Sequence, residues 1–242
     1  MKRSNFIKLF FSIFSFPLIA NTLKIKFTIS KKLLIGKGDP LLVGDDFKLL
    51  PEVAIAYLKM KEAAGKENIK LGIISGYRSF HHQKKIWNRK FKQNLNMGIK
   101  GHESINKIIE YSTIPGTSRH HWGTDIDLIE MNHNEKGDVL MPSLFHDSGP
   151  FNKLRIWMDQ NASKFGFYKV YTNDLSRKGF FYEPWHFSYR KISILFLNEY
   201  LKIDIETILK DEDDLLGKEY LNKSFLNKYI KENIKGVSKE LM

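Results

Sequence analysis

Residues 115–128 read PGTSRHHWGTDIDL, and the chain continues with Ile129. Thr124 to Ile129 alternates in the manner of a β-strand, so Asp125 and Asp127 share one face of it. Two histidines, His120 and His121, stand just upstream. Leu71–Ser75 (LGIIS) is a short buried-strand pattern that runs into a turn at Gly76. Phe180–Tyr189 is aromatic and extended. Helical spacing falls between these pieces. Glu52–Ala64 repeats Val53, Ala56, Leu58 and Ala63, with Pro51 as its start and Gly65 as its stop. Phe80–Leu95 and Glu103–Tyr111 form two more helices, and Asn152–Phe165 another, carrying Leu154, Trp157, Met158 and Phe165. From Lys191 the chain is mostly helical, and Asp211–Asp214 (DEDD) is a solvated helix connection rather than a metal site. Strands and helices mix without a βαβ rhythm, which predicts an α+β fold. Its expected form is a small antiparallel sheet carrying the site, flanked by helices, with a helical C-terminal extension.

The chain has 242 residues, enough for one large domain or two small ones. Hydrophobic residues make up 42% and charged residues 27%, which excludes a disordered, collagen-like or coiled-coil chain as a whole. There is no cysteine, so disulfides, thiolate zinc sites and cysteine nucleophiles are excluded. Any metal site must draw on His, Asp or Glu. The formal net charge of +12 suits an anionic partner without choosing one.

The N-terminus narrows that choice. Lys2, Arg3 and Lys8 precede or open onto an uncharged apolar run, Leu9–Ala20 (LFFSIFSFPLIA). A bilayer span needs about 20 residues, so this run is short for one. Basic start, short apolar stretch and small end residue are the layout of a secretory signal. Leu18 stands where a small residue is preferred for cleavage, which leaves an uncleaved anchor open, and a buried N-terminal element is the structural alternative. The expected organisation is 1–20 signal peptide or anchor, 21–47 lead-in, 48–190 catalytic domain and 191–242 extension. The expected place is outside the cytoplasm, in the periplasm or cell envelope. Membrane contact is expected only through the N-terminal segment if it stays uncleaved. A basic exported protein meets wall polyanions rather than nucleic acid, and no aromatic–basic RNA signature is present.

Three segments carry chemistry: Ser75–Ser79 (SGYRS), with Gln83 a turn further on; the stretch 115–128; and Glu183–His186 (EPWH). His120, Asp127 and His186 offer two imidazoles and one carboxylate, a set suited to a catalytic zinc with its fourth position kept for water. Glu183 can take a proton from that water and return it to a leaving amine. Arg78 supplies fixed positive charge for an oxyanion or a substrate carboxylate. Ser118 either binds substrate or caps its loop, and Gln83 is a candidate substrate contact. In a regular strand Glu183 and His186 would point to opposite faces, so a bend or strand start is expected at Pro184, with Trp185 packed away in the core.

These motifs together resemble the VanY-like D-alanyl-D-alanine carboxypeptidases, of the wider fold group that includes lysostaphin-type peptidases and hedgehog. That family carries an SGYRS-like segment, a pattern Ser-x-His-x-x-Gly-x-Ala-x-Asp, and Glu-x-x-His, often Glu-Pro-Trp-His. Here the second pattern is met by Ser118, His120, Gly123 and Asp127, and the third by Glu183, Pro184, Trp185 and His186. The resemblance covers roughly Asp46–Tyr189 and leaves out the chain after Lys191. It implies one zinc per chain on His120, Asp127 and His186, with Glu183 as general base and Arg78 as the transition-state or carboxylate contact. It also implies hydrolysis of peptidoglycan stem peptides by removal of a terminal D-alanine. An endopeptidase with the same site, or a zinc-containing wall-binding module without catalysis, are the alternatives. The family spacing selects His120 over His121. One position departs from the pattern: Asp125 stands where the family has Ala. It is a hydrogen-bond acceptor behind a ligand histidine, a competing ligand, or a strand-end aspartate bonded to backbone or lysine.

Overall fold

The computed structural model describes residues 29–45 and 47–242. The expected leader, 1–20, and residues 21–28 of the lead-in lie outside them. In chain order the elements are α1 (Lys31–Leu34), α2 (Pro51–Lys66), β1 (Leu71–Ser75), α3 (Phe80–Asn96), α4 (Gly101–Ile108), β2 (Asp125–Glu130), α5 (Asn152–Asn161), β3 (Phe167–Lys169), β4 (His186–Tyr189), α6 (Arg190–Tyr200), α7 (Ile205–Lys210) and α8 (Lys223–Tyr229). The class is α+β. Among the described residues, four strands form one antiparallel sheet in the order β1-β2-β4-β3.

β2 is the strand that places the site. It pairs Asp125 with Ser188 and Asp127 with His186 across to β4, and Ser75 with Asp127 across to β1. Ile126 and Leu128 alternate with the two aspartates and go into the apolar core, and both are buried. The β1 register shifts between Ile73 and Ser75. A bulge of this kind bends its strand, and here it precedes the turn that carries Arg78.

The helices follow their apolar spacing. α2 starts on Pro51 and buries Val53, Tyr57, Met60 and Ala64 along one stripe. It does not stop at Gly65 but runs to Lys66. The reversal falls at Asn68, whose φ of 57° is left-handed, and Ile69 N–H closes the end by donating to the Ala64 carbonyl at 3.0 Å. α3 is capped by Ser79, which accepts from His82 N–H at 3.2 Å. It buries Phe80, Gln83, Trp87, Phe91 and Asn94.

The chain after Lys191 joins the same apolar cluster, with Phe196, Leu209, Leu226, Tyr229 and Leu241 all buried in it. Trp87 Nε1–H donates to the Leu216 carbonyl at 2.9 Å, and Ser238 N–H to the Val170 carbonyl at 2.9 Å. Within the acidic run, Glu212 binds Lys37 and Lys84, and Asp214 binds Lys84. The run therefore fastens the C-terminal part to α3. Among the described residues no helix is long and apolar enough to cross a membrane.

Candidate active site

His120 lies in a short 3₁₀ turn, Arg119–Trp122, that leads into β2. Ser118 caps this turn, its Oγ accepting from His120 N–H at 3.3 Å. Asp127 comes from β2, and His186 opens β4. The strand begins only at His186; the residues before it form a turn in which His186 N–H donates to the Glu183 carbonyl at 3.3 Å. The expected break at Pro184 is thus present, and it lets Glu183 and His186 face the same point. Trp185 is buried, 5.6 Å from the ring of Phe145.

His120, Asp127 and His186 are all buried, and each offers one ligand atom within 4.8 Å of the others. The two imidazole rings are stacked, with centroids 4.8 Å apart. His120 Nδ1 is tied to the Gly76 carbonyl at 2.8 Å, which leaves Nε2 toward the centre, 3.4 Å from Asp127 Oδ2. His120 Nε2 and Asp127 Oδ1 are buried with no hydrogen-bond partner. Buried polar atoms are normally paired, and a pair left over on converging ligands fits a metal ion. The group can hold one.

Burial opposes ionisation of Asp127, but His120, His186 and Arg78 outweigh it and bring the carboxyl down to about 2. Burial also opposes charge on His186, yet hydrogen bonds from its ring to the Asp125 and Glu183 carboxylates outweigh it and raise the imidazole to about 9. Glu183 Oε2 lies 2.9 Å from His186 Nδ1. Burial raises the Glu183 carboxyl above its ordinary value, where a carboxylate is better suited to accept a proton near neutral pH.

Arg78 donates from Nη2 to Asp127 Oδ2 at 3.2 Å and from Nη1 to Gln83 Oε1 at 3.1 Å. Gln83, expected as a substrate contact, is instead fully buried behind Arg78. Its amide nitrogen donates to the Thr113 carbonyl at 2.9 Å. Both ends of the amide are engaged by protein, because α3 turns this face inward, so Gln83 orients the guanidinium.

A pocket of about 400 Å³ opens over this group. Ser118, His120, Asp127, Glu183, His186 and Arg78 line it, and so do Lys90, Tyr111, Thr113, Asp138 and Tyr171, which sequence reasoning missed. Lys90 had a signal: it stands seven residues after Gln83, two helical turns along the same face of α3. Tyr111, Thr113, Asp138 and Tyr171 carry no spacing that would have marked them. Arg119 and Ser188, on either side of Asp125, were also passed over.

A family model described as VanY, D-alanyl-D-alanine carboxypeptidase, matches residues 46–192. The bifunctional D-Ala-D-Ala dipeptidase and D-Ala-D-Ala carboxypeptidase VanXYC of Enterococcus gallinarum is 30% identical over 145 residues, 60% of this chain and 68% of that protein. The chain spans under half the length of two further curated relatives, 45% and 43%. A mutant of a VanY D,D-pentapeptidase from a VanB-type resistance cassette, solved in complex with Zn(II), superimposes with a TM-score of 0.52 at 22% identity. That match covers 76% of this chain and 90% of the other. VanYB in complex with D-alanine-D-alanine gives 0.53 at 21%, over 73% and 92%. At these identities the two structures speak for a shared fold. With more than half of its length inside the family pattern, the chain belongs to the VanY family of D-alanyl-D-alanine carboxypeptidases.

Proposed function

We propose that this protein is an exported zinc peptidase that removes the terminal D-alanine from peptidoglycan stem peptides. One juxtaposition supports this most: the buried His120, Asp127 and His186 group, with two unpaired ligand atoms, lies beside the buried carboxyl of Glu183 on a pocket wall. His120, Asp127 and His186 would hold the zinc, which when bound supplies Lewis-acid polarisation of a carbonyl and lowers the pKa of an attacking water. Glu183 takes the proton from that water as its oxygen bonds to the scissile carbonyl carbon, and delivers it to the amine nitrogen as the C–N bond breaks. Arg78, held by Gln83 and Asp127, presents fixed positive charge to the oxygen that becomes negative. Ser118 lines the same wall and caps the turn that carries His120.

Three cations, Arg78, Lys90 and Arg119, line the pocket; Arg78 and Arg119 are paired with Asp127 and Asp125, and among the described residues Lys90 has no salt-bridge partner. A substrate that ends in a free carboxylate complements them, which favours a carboxypeptidase over an endopeptidase. The D-Ala-D-Ala bound by VanYB supports that substrate class for this chain. Export is supported by the basic start and apolar run of residues 1–20.

Mass analysis of pentapeptide muropeptides after incubation tests the proposal. Loss of one alanine, stopped by a chelator and restored by zinc, is the expected result. Cutting at an internal bond would make the protein an endopeptidase with the same chemistry. Unchanged masses with zinc bound would leave a wall-binding module.

A further inference from the structure

Asp125, the residue that stands where the family pattern has Ala, is fully buried next to the site. Its Oδ1 accepts from Arg119 Nε at 2.9 Å and from His186 Nε2 at 3.1 Å. Its Oδ2 accepts from Thr124 Oγ1 at 2.6 Å and from Ser188 Oγ at 2.8 Å. Arg119 closes the ring by donating from Nη2 to Ser188 Oγ at 2.7 Å, and its guanidinium lies 4.7 Å from the ring centroid of Trp122. Four donors converge on one carboxylate, so neither oxygen is free to turn toward a metal. The cross-strand register explains the aim. Asp125 faces Ser188 and Asp127 faces His186, which makes Asp125 and His186 diagonal neighbours on one face of the sheet.

We infer that Asp125, clamped by Arg119 and Ser188, is a positioning residue that takes the His186 proton at Nε2 and so leaves Nδ1, the ring atom 2.9 Å from Glu183 Oε2, unprotonated for the metal. The inference rests on the zinc reading above. The two histidines are then pinned by different means: His120 through Nδ1 to the backbone carbonyl of Gly76, and His186 through Nε2 to a carboxylate. A carboxylate is the stronger acceptor and raises the basicity of the ligand ring. Arg119 engages the same Oδ1 at 2.9 Å, which keeps that oxygen turned away from the metal site. A chain with Ala at this position has no such group, so the clamp distinguishes this protein within the motif.

The test is zinc affinity of the full chain, measured by competition with a chelating dye at fixed pH. Asp125→Asn is expected to weaken zinc binding by about 10–100-fold, the usual cost of losing a partner behind a ligand. Removing the buried charge can unfold the chain by leaving Arg119 unpaired, so the second variant is Asp125→Ala combined with Arg119→Leu, which removes both charges. Positioning predicts that the double variant stays 10–100-fold weak. It also predicts that the slowly exchanging Nε2 proton of His186, detected by NMR in the zinc-loaded wild type, is lost in the double variant. Recovery of wild-type affinity in the double variant would show that Asp125 only neutralises Arg119, and would overturn the inference. Unchanged affinity in a folded Asp125→Asn would do the same. If the wild type takes up no zinc, the functional reading itself falls, and that outcome is separate from failure of the variants alone.

Discussion

His120 and His121 are neighbours in sequence with opposite roles, and the difference lies in what each ring touches. His120 leaves Nε2 unpaired at the centre of the site. His121 leaves nothing free: Nδ1–H donates to the Arg78 carbonyl at 2.6 Å, and Nε2 accepts from Gly116 N–H at 3.1 Å. The second ring thus fixes the backbone that carries Arg78. Burial, above all, lowers the His121 pKa from 6.5 to about 3. The folded ring stays neutral where the unfolded one gains a proton, so between these values the unfolded state binds more protons. Stability is therefore lost as pH falls from 6.5 toward about 3. Thermal melts over that window should show a steeper loss for the wild type than for His121→Gln; parallel loss would remove His121 as a cause. The residues alone could not separate the two histidines, because their partners, Gly76, Arg78 and Gly116, come from other turns. Only the family spacing chose His120.

The elements that matter most for the site are short and end abruptly. β4 begins at His186, and the turn before it lets residues 183 and 186 converge. This break was legible in the sequence because Pro184 sits between two residues that must reach one point. The end of α2 was not legible: an exposed Gly65 resembles a stop, but the left-handed turn is made by Asn68. Gly123 joins the histidine turn to β2 with φ 66°, and its carbonyl accepts from Leu50 N–H at 3.0 Å. A Cβ there would stand 3.0 Å from Leu42 Cδ2 and 3.4 Å from Leu50 N. Left-handed backbone costs a residue with a Cβ about 1–2 kcal/mol. Gly123→Ala should lower stability in a denaturant titration by at least about that amount, since the Leu42 contact adds to it. Wild-type stability in the variant would mean that the turn between His120 and Asp127 is not held in this conformation.

At the scale of the whole molecule, the motifs gave the candidate site and little of what supports it. The C-terminal residues looked like an appendix, yet Tyr229 reaches back to the loop before Ser118. Its hydroxyl accepts from Ile114 N–H at 3.3 Å and lies 2.9 Å from Thr117 Oγ1. Such contacts, more than a hundred residues apart, leave no periodic trace in a sequence. The N-terminal run, by contrast, is readable only as sequence. Fused to a reporter that works only outside the cytoplasm, residues 1–20 should give an active product, and an inactive soluble fusion would argue against export. The proposed reaction joins all three scales at Glu183, placed by a turn, raised by burial, and not needed to complete the proposed ligand set. The most direct measurement is D-alanine release from a pentapeptide muropeptide by zinc-loaded Glu183→Gln, with zinc counted in the same sample. The account predicts full zinc and a fall of roughly 10²–10⁴-fold, the share of general acid–base catalysis. Full activity with zinc bound, or loss of the zinc itself, would contradict it.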